Sequence, residues 1–296
     1  MQSGKPKRIG IWGNTEKSAF WDLLPSIANW AKNRELEIFL TTRIIAKVDE
    51  KLDFDYSIIE YADDFKQLDF ILSLGGDGTL LALSRAVGNR KTPILGIHLG
   101  ELGFLAEVTT EDMFEKLDRV ASEDCEILER MVLECTVQNG DNPQIFHALN
   151  DITIDRGSSH RMVNCELKAN GNHVANYKAD GLIVSTPTGS TAYSLSAGGP
   201  IVMPSLDAMV VTPICPHTLT LRPIVLPDDK TIEITFADNQ AGGLGLAVDG
   251  QVQASLELHA KVIIRKASYK TQMIIFSDTN YFDVLSKKMG WGRRGE

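Results

Sequence analysis

The junction at residues 70–81 restricts the fold more than any other feature of the chain. Phe70-Ile71-Leu72-Ser73-Leu74 is almost continuously apolar and runs straight into Gly75-Gly76-Asp77-Gly78-Thr79-Leu80-Leu81. A strand without polar alternation is buried on both faces, which occurs chiefly in parallel sheets covered by helices. The glycines allow positive φ and close approach of backbone to a phosphate, and a helix beginning at Thr79 adds its free N–H groups. Gly75, Gly76, Gly78 and Thr79 are therefore the candidate phosphate cradle. An aspartate in this setting repels an anion unless a metal ion or hydroxyl intervenes, so Asp77 reads as a metal holder or proton acceptor. By itself the pentad favours phosphate chemistry, the alternative being an Asx-type turn at a strand end.

The elements around the junction fit a parallel sheet. Arg8–Trp12 reads as a strand, and Thr15–Asn33 as a helix with Phe20, Leu23, Leu24, Ile27, Trp30 and Ala31 on one face. Leu36–Leu40 and Pro93–Ile97 read as further strands, and Thr79–Val87 as a helix. Alternation of this kind predicts a Rossmann-like α/β domain whose ligands lie beyond the carboxyl ends of the strands. From about Glu126 the period becomes two. Val163, Cys165, Leu167 and Ala169 alternate with polar residues, Asn170-Gly171 supplies a hairpin turn, and Ile232–Phe236 and Leu256–Arg265 continue the pattern. This half is expected to be antiparallel, β-rich and sandwich-like, and Tyr281–Met289 closes the chain as a helix. The boundaries predicted are 1–122 and 123–278, with residues 279–296 packing back on the first domain.

Charge and cysteine usage narrow the function. Thirty Lys and Arg against 39 Asp and Glu leave a net charge of -9, so a globally basic nucleic-acid binder is not expected. An anionic substrate must then be held by local donors and a cation. The residues after Lys5, Lys7 and Arg8 lack a secretory apolar core, and no apolar run reaches the roughly 18 residues of a membrane span. Cys125, Cys135, Cys165 and Cys215 show no metal spacing, and no metal ligands are assigned. These features predict a cytoplasmic protein without membrane or nucleic-acid partners.

A second motif, Ala179-Asp180-Gly181 through Thr186-Pro187-Thr188-Gly189-Ser190-Thr191-Ala192-Tyr193-Ser194, runs from a strand into a hydroxyl-rich segment. It could bind ribose and base, with Tyr193 as a flat apolar face, or be a capped helix start. The two motifs together carry a resemblance. The pentad resembles the phosphate loop of NAD kinases, diacylglycerol and sphingosine kinases and phosphofructokinases. The long segment, continuing through Leu195-Ser196-Ala197-Gly198-Gly199-Pro200, is similar to NAD kinases specifically. So are Gly100-Glu101-Leu102-Gly103-Phe104-Leu105, Asn150-Asp151 and Pro216-His217-Thr218-Leu219, in the same order. The resemblance covers roughly residues 8 to 290.

The resemblance implies phosphoryl transfer from ATP to the 2′-hydroxyl of the adenosine ribose of NAD, giving NADP, with a divalent cation such as magnesium. It implies an N-terminal domain handling the phosphate donor, a C-terminal domain binding NAD, and a homodimer or homotetramer. Asp77 matches the catalytic proton acceptor and Gly78 a backbone contact to NAD. Asn150 and Asp151 match an Asn-Glu pair that binds the dinucleotide, and Asp151 is one methylene shorter than that glutamate. Arg161, Lys178, Asp180, Thr191, Ala192, Tyr193, Ser194, Leu195, Ser196 and Gln251 fall on further binding positions. An ordinary aspartate is a weak base at neutral pH, so orientation and late proton transfer are the expected role of Asp77. The alternatives are a diacylglycerol-type lipid kinase, which should lack the Thr186–Ser196 segment, and a non-catalytic dinucleotide sensor, which should have lost Asp77.

Other features read as structural. Gly290-Trp291-Gly292-Arg293-Arg294-Gly295 spells a dinucleotide fingerprint but follows a helix and precedes none. The six histidines lack metal spacing, and the run from Asp49 to Asp55 reads as a solvated loop. Asp249-Gly250 reads as a hairpin turn beside Gln251.

Overall fold

The computed structural model describes residues 6–48, 51–100, 103–140, 142–157, 161–237, 243–257 and 259–291. The elements run β1 (Arg8–Gly13), α1 (Ser18–Lys32), β2 (Glu37–Thr41), α2 (Thr42–Ile45), β3 (Ser57–Ile59), β4 (Phe70–Gly75), α3 (Asp77–Val87), β5 (Ile94–His98) and α4 (Met113–Ala121). There follow β6 (Glu126–Asn139), β7 (Asn142–Ala148), β8 (Asp151–Asp155), β9 (Val163–Ala169), β10 (Asn172–Ala179), β11 (Gly181–Ser185) and α5 (Tyr193–Ser196). The last are β12 (Ala208–Ile214), β13 (Ile224–Pro227), β14 (Ile232–Phe236), β15 (Leu244–Val248), β16 (Val252–Leu256), β17 (Lys261–Ile275) and α6 (Tyr281–Met289). Two compact units result, one holding the chain through Glu129 and again from Thr271, the other Arg130–Lys270.

In the first unit the strands lie in the order β3-β2-β1-β4-β5, every neighbour parallel, and Met273 near the end of β17 pairs with Ile94. This is five strands of the six-stranded dinucleotide-binding order 3-2-1-4-5-6, and the strand order reverses between β1 and β4. Phe70, Ile71, Leu72 and Leu74 are fully buried, as the unbroken apolar run requires, each contributing roughly 1.5–3 kcal/mol by transfer from water. Helix α1 buries Phe20, Leu24, Ile27, Trp30 and Ala31 against the same core. It starts at Ser18, not Thr15, because Asn14–Lys17 forms a turn in which Lys17 N donates to Asn14 O over 3.1 Å. Helix α3 starts at Asp77, two residues before the expected Thr79, because the Gly76 carbonyl accepts from both Thr79 N and Leu80 N. The run Asp49–Asp55, of which residues 49 and 50 lie outside the described residues, is only partly a solvated loop: Leu52 and Phe54, with Tyr56 after them, pack on the core while Asp53 and Asp55 face water.

The second unit is an antiparallel sandwich. One sheet has the order β13-β12-β11-β8-β15-β16, and the facing one contains β10-β9-β14-β17 and the β6–β7 hairpin. Ile152, Ile154, Leu182 and Val184 from the first meet Leu167, Ile232, Ile234 and Val262 from the second in one core. Asn170 and Gly171 take φ of +49° and +77° in the two-residue turn the Asn-Gly pair predicts. The single strand expected over 256–265 is two: Leu256 ends β16 and Lys261 begins β17. The chain turns between them, with Ala260 N donating to Glu257 O. Cys135 and Cys165 are buried here, and desolvation pushes both thiols up to about 12. Gly290 caps α6 in the left-handed region at φ +68°, which accounts for that glycine. Residues 292–295 of its motif lie outside the described residues, as do Glu101, Leu102 and His160. No helix among the described residues is long and apolar enough to cross a membrane.

Candidate active site

At the carboxyl end of β4 the chain leaves the sheet through Gly75 and Gly76 and enters α3 at Asp77. The Asp77 carboxylate lies against the loop that follows β5. Its Oδ2 accepts from Phe104 N at 2.8 Å, and its Oδ1 accepts from Leu105 N at 3.1 Å and Ala106 N at 3.2 Å. Gly103 is what permits this approach, since a Cβ there would stand 1.9 Å from Asp77 Oδ1. None of Gly75, Gly76 and Gly78 has positive φ, contrary to the sequence expectation. Gly75 is required for another reason: a Cβ on it would meet the Thr79 hydroxyl at 2.2 Å. Gly76 is extended and half-buried, with open space where a Cβ would project, and Gly78 in the first turn of the helix is exposed.

The second unit holds the Asn-Asp pair just as tightly. Asn150 precedes β8 and Asp151 is its first residue. The Asn150 carbonyl accepts from Thr186 N at 2.8 Å, the Thr186 hydroxyl donates to Leu149 O at 2.6 Å, and Gly189 lacks a Cβ where one would lie 2.1 Å from Asn150 O. From the other side the Asp249 carboxylate accepts from Leu149, Asn150 and Asp151 N–H groups at 3.3, 2.8 and 3.2 Å. With its backbone so fixed, Asn150 presents a buried side-chain oxygen, Oδ1, that has no partner. Burial first, then the negative charge of Asp249, push the Asp151 carboxyl up to about 6, against a hydrogen bond donated by the Thr153 hydroxyl.

The hydroxyl-rich segment folds upon itself more than its composition suggests. Ser190 Oγ donates to Pro187 O and accepts from Val202 N, Thr191 Oγ1 donates to Thr188 O, and Ser194 shares a hydrogen bond with Thr212. Thr188–Thr191 forms a 3-10 turn and Tyr193–Ser196 one helical turn. Tyr193 and Ser196 face outward, Tyr193 at 48% exposure, while Thr191, Ala192 and Leu195 are half-buried and Ser194 is buried. Asn150, Asp151 and this segment therefore form one group, and Gln251, exposed, follows the Asp249 turn that joins it. Arg161, Lys178 and Asp180 form a second group at one end of the β9–β10 hairpin, with Asp180 bonded to Arg156 at 3.2 Å. The length of β11 separates the two groups, because Gly181 follows Asp180 and Ser185 pairs with Asp151, about 13 Å along the strand.

Chemically, the first unit offers a carboxylate and an exposed glycine at a helix start. The second offers a buried amide oxygen, a carboxylate with raised pKa and an aromatic face. Among the described residues no three His, Cys, Asp or Glu converge on one point. A cavity of about 510 Å³ lined by Asp155, Gly245, Gln253 and Ser255 contains none of the candidate residues. Sequence reasoning missed Thr186, Asp249 and the amides of Phe104–Ala106 as supports. The Asp-Gly pair at 249–250 marked a turn, and nothing in it disclosed the carboxylate's partners.

A dinucleotide-type parallel sheet with a Gly-Gly-Asp-Gly turn where its strand order switches, followed by an antiparallel β-sandwich, is the architecture of a nucleotide-handling protein with two kinds of unit. The chain matches the ATP-NAD kinase N-terminal domain over residues 9–125 and the ATP-NAD kinase C-terminal domain over residues 149–276. It is 43% identical over 290 residues to an NAD kinase of Geotalea daltonii, covering 97% of this chain and 100% of the relative. Among solved structures it resembles the yeast NADH kinase complexed with NADH, with a TM-score of 0.90 and 26% identity over 100% of this chain and 91% of that one. An NAD kinase from Archaeoglobus fulgidus in complex with ATP gives a TM-score of 0.74 and 25% identity over 96% of this chain and 98% of that one. The chain belongs to the ATP-NAD kinase family, phosphotransferases that convert NAD and ATP to NADP and ADP.

Proposed function

We propose that this chain transfers the γ-phosphoryl group of ATP to the 2′-hydroxyl of the adenosine ribose of NAD, releasing NADP and ADP. The observation that carries this reading is the Asp77 turn at the switch of the parallel sheet in a chain of this family. The ribose oxygen bonds to the γ-phosphorus as the bond to the β–γ bridging oxygen breaks, ADP leaves with that oxygen, and the hydroxyl proton passes late to Asp77. A carboxylate has about four lone-pair directions. Two amides fall on Oδ1 and one on Oδ2, which leaves Oδ2 a direction for the hydroxyl. The three amides hold the carboxylate still, and with a loose transition state such positioning supplies most of the catalysis.

The first unit, with Gly75, Gly76, Gly78 and Thr79, is assigned the donor phosphates. The second, with Asn150, Asp151, Thr191–Ser196 and Gln251, is assigned the dinucleotide, and Arg161, Lys178 and Asp180 are further contacts. Asn150 Oδ1 is the acceptor best prepared for a ligand N–H or O–H, because it is buried and unsatisfied. A magnesium ion brought by ATP and reached by Asp77 would neutralise phosphate charge, which a chain of net charge -9 cannot do through its overall field. Cytoplasmic location and a homodimer or homotetramer complete the reading, supported by the family resemblance. The test is NADP formation from NAD, ATP and magnesium, read with an NADP-specific dehydrogenase. Product is expected from the wild type, whereas NAD binding without product would make the chain a dinucleotide sensor.

A further inference from the structure

Asp249 occupies the first central position of the β15–β16 turn. Both Asp249 and Gly250 have positive φ, +50° and +65°, and Gln251 N donates to Val248 O at 3.0 Å, the geometry for which Asp-Gly pairs are selected. A turn at the tip of a hairpin normally points its polar side chain to water. This one is only 8% exposed and spends its carboxylate on three successive backbone amides, those of Leu149, Asn150 and Asp151. The contact is reciprocal, because Asp249 N donates to Asp151 O at 2.9 Å. On the opposite side Thr186 bonds the carbonyls of Leu149 and Asn150. The Asn150 backbone is thus bound through both its N–H and its C=O, while its side-chain oxygen stays buried and unpartnered.

Burying a second carboxylate beside Asp151 costs stability, and an apolar or neutral turn residue would avoid that cost. A hairpin needs no such group for its own sake. We propose that Asp249 is a positioning residue for dinucleotide binding, holding the 149–151 turn so that Asn150 Oδ1 and the Asp151 carboxylate face the ligand. This rests on the reading that Asn150 and Asp151 touch the dinucleotide. Asp249 itself touches no substrate; it works through three amides. Its charge has a second effect, since it helps to raise the Asp151 carboxyl, whose other named influences are burial and the Thr153 hydroxyl.

The experiment compares Asp249→Asn, Asp249→Glu and Asn150→Ala with the wild-type enzyme, measuring NAD affinity by calorimetry between pH 5 and 8, kcat for NADP formation, and thermal unfolding. Asp249→Asn keeps the shape but sets an NH₂ or a weaker acceptor against three donors. It is expected to weaken NAD binding at least tenfold, to leave kcat at saturating NAD within about threefold, and to move the acid limb of NAD binding to lower pH. A purely structural role would not move that limb. Asp249→Glu keeps the charge at the wrong length, so it should weaken NAD binding with the limb unmoved, and it serves alone if Asp249→Asn does not fold. Wild-type NAD affinity in a folded Asp249 variant, with affinity lost in Asn150→Ala, overturns the proposal and leaves the site reading standing. Unchanged affinity in both overturns the site reading, and the proposal with it.

Discussion

Two loops, one in each unit, are held by the same device used to opposite ends. In the first, Asp77 accepts from the N–H groups of Phe104, Leu105 and Ala106; in the second, Asp249 accepts from those of Leu149, Asn150 and Asp151. Asp77 is the group assigned to the reaction, and the loop steadies it. Asp249 is the steadying group, and the loop carries the residues assigned to the ligand. Both carboxylates take two amides on Oδ1 and one on Oδ2, and the difference lies in their surroundings: Asp77 is half-buried at the start of a helix, whereas Asp249 is buried beside Asn150, whose side-chain oxygen has no partner. A carboxylate bound to three amides is therefore no sign by itself of catalysis or of architecture.

The comparison breaks first if Asp77 is only an anchor. Asp77→Asn should lower kcat by about 10²–10⁴-fold with NAD affinity near normal, read by the coupled NADP assay and calorimetry. Gly103→Ala sharpens the point without altering the carboxylate. Its Cβ would stand 1.9 Å from Asp77 Oδ1, and a displacement of about 1 Å at a reacting group can cost about 10²-fold, so kcat should fall on that scale in a folded protein.

Asp151 separates the two loops in stability. Its carboxyl lies at about 6 when folded, above the ordinary 3.8, so the folded state holds the proton more tightly than the unfolded state. Ionised Asp151 therefore destabilises the fold above pH 6, and that penalty fades as pH falls through 6 toward 4. The upper bound is about 3 kcal/mol. Asp151→Asn should raise the urea midpoint at pH 7.5 and flatten this pH dependence, while weakening NAD binding. The smallest effect belongs to an exposed carboxylate held by two half-buried cations. Asp278 is bonded to Lys116 and Arg119 at 2.6 and 2.7 Å, which lowers its pKa to about 2, so its contribution is present at neutral pH and lost only in strong acid. Because it is 54% exposed, Asp278→Asn should cost less than about 1 kcal/mol in urea unfolding.

These contrasts also explain what was legible in the sequence. The parallel sheet followed from Phe70–Leu74, because a strand buried on both faces has no other composition. The Asn170-Gly171 hairpin and helix α6 followed from local chemistry, and the start of α1 was misplaced because Asn14 takes the backbone into a turn that periodicity does not register. The Thr186–Ser196 hydroxyls announced polarity, but not that Ser190 and Thr191 donate theirs to carbonyls inside the segment and that Ser194 pairs with Thr212 on β12. Asp77 was visible through its glycines, although none of the three has positive φ and Gly75 is there for its close approach to Thr79. Asp249 was visible only as half of a turn, since its partners lie about 100 residues away. Long-range hydrogen bonds to backbone leave no mark on the identities of the residues that donate them.

The most direct test sets Asp77→Asn beside Asp249→Asn and measures two parameters on each, kcat for NADP formation and the NAD dissociation constant. The account predicts a crossed result: the first variant loses turnover and keeps its affinity, the second loses affinity and keeps its turnover at saturating NAD. If both variants lose the same parameter, or Asp77→Asn turns over like the wild type, the division of labour between the two carboxylates is wrong.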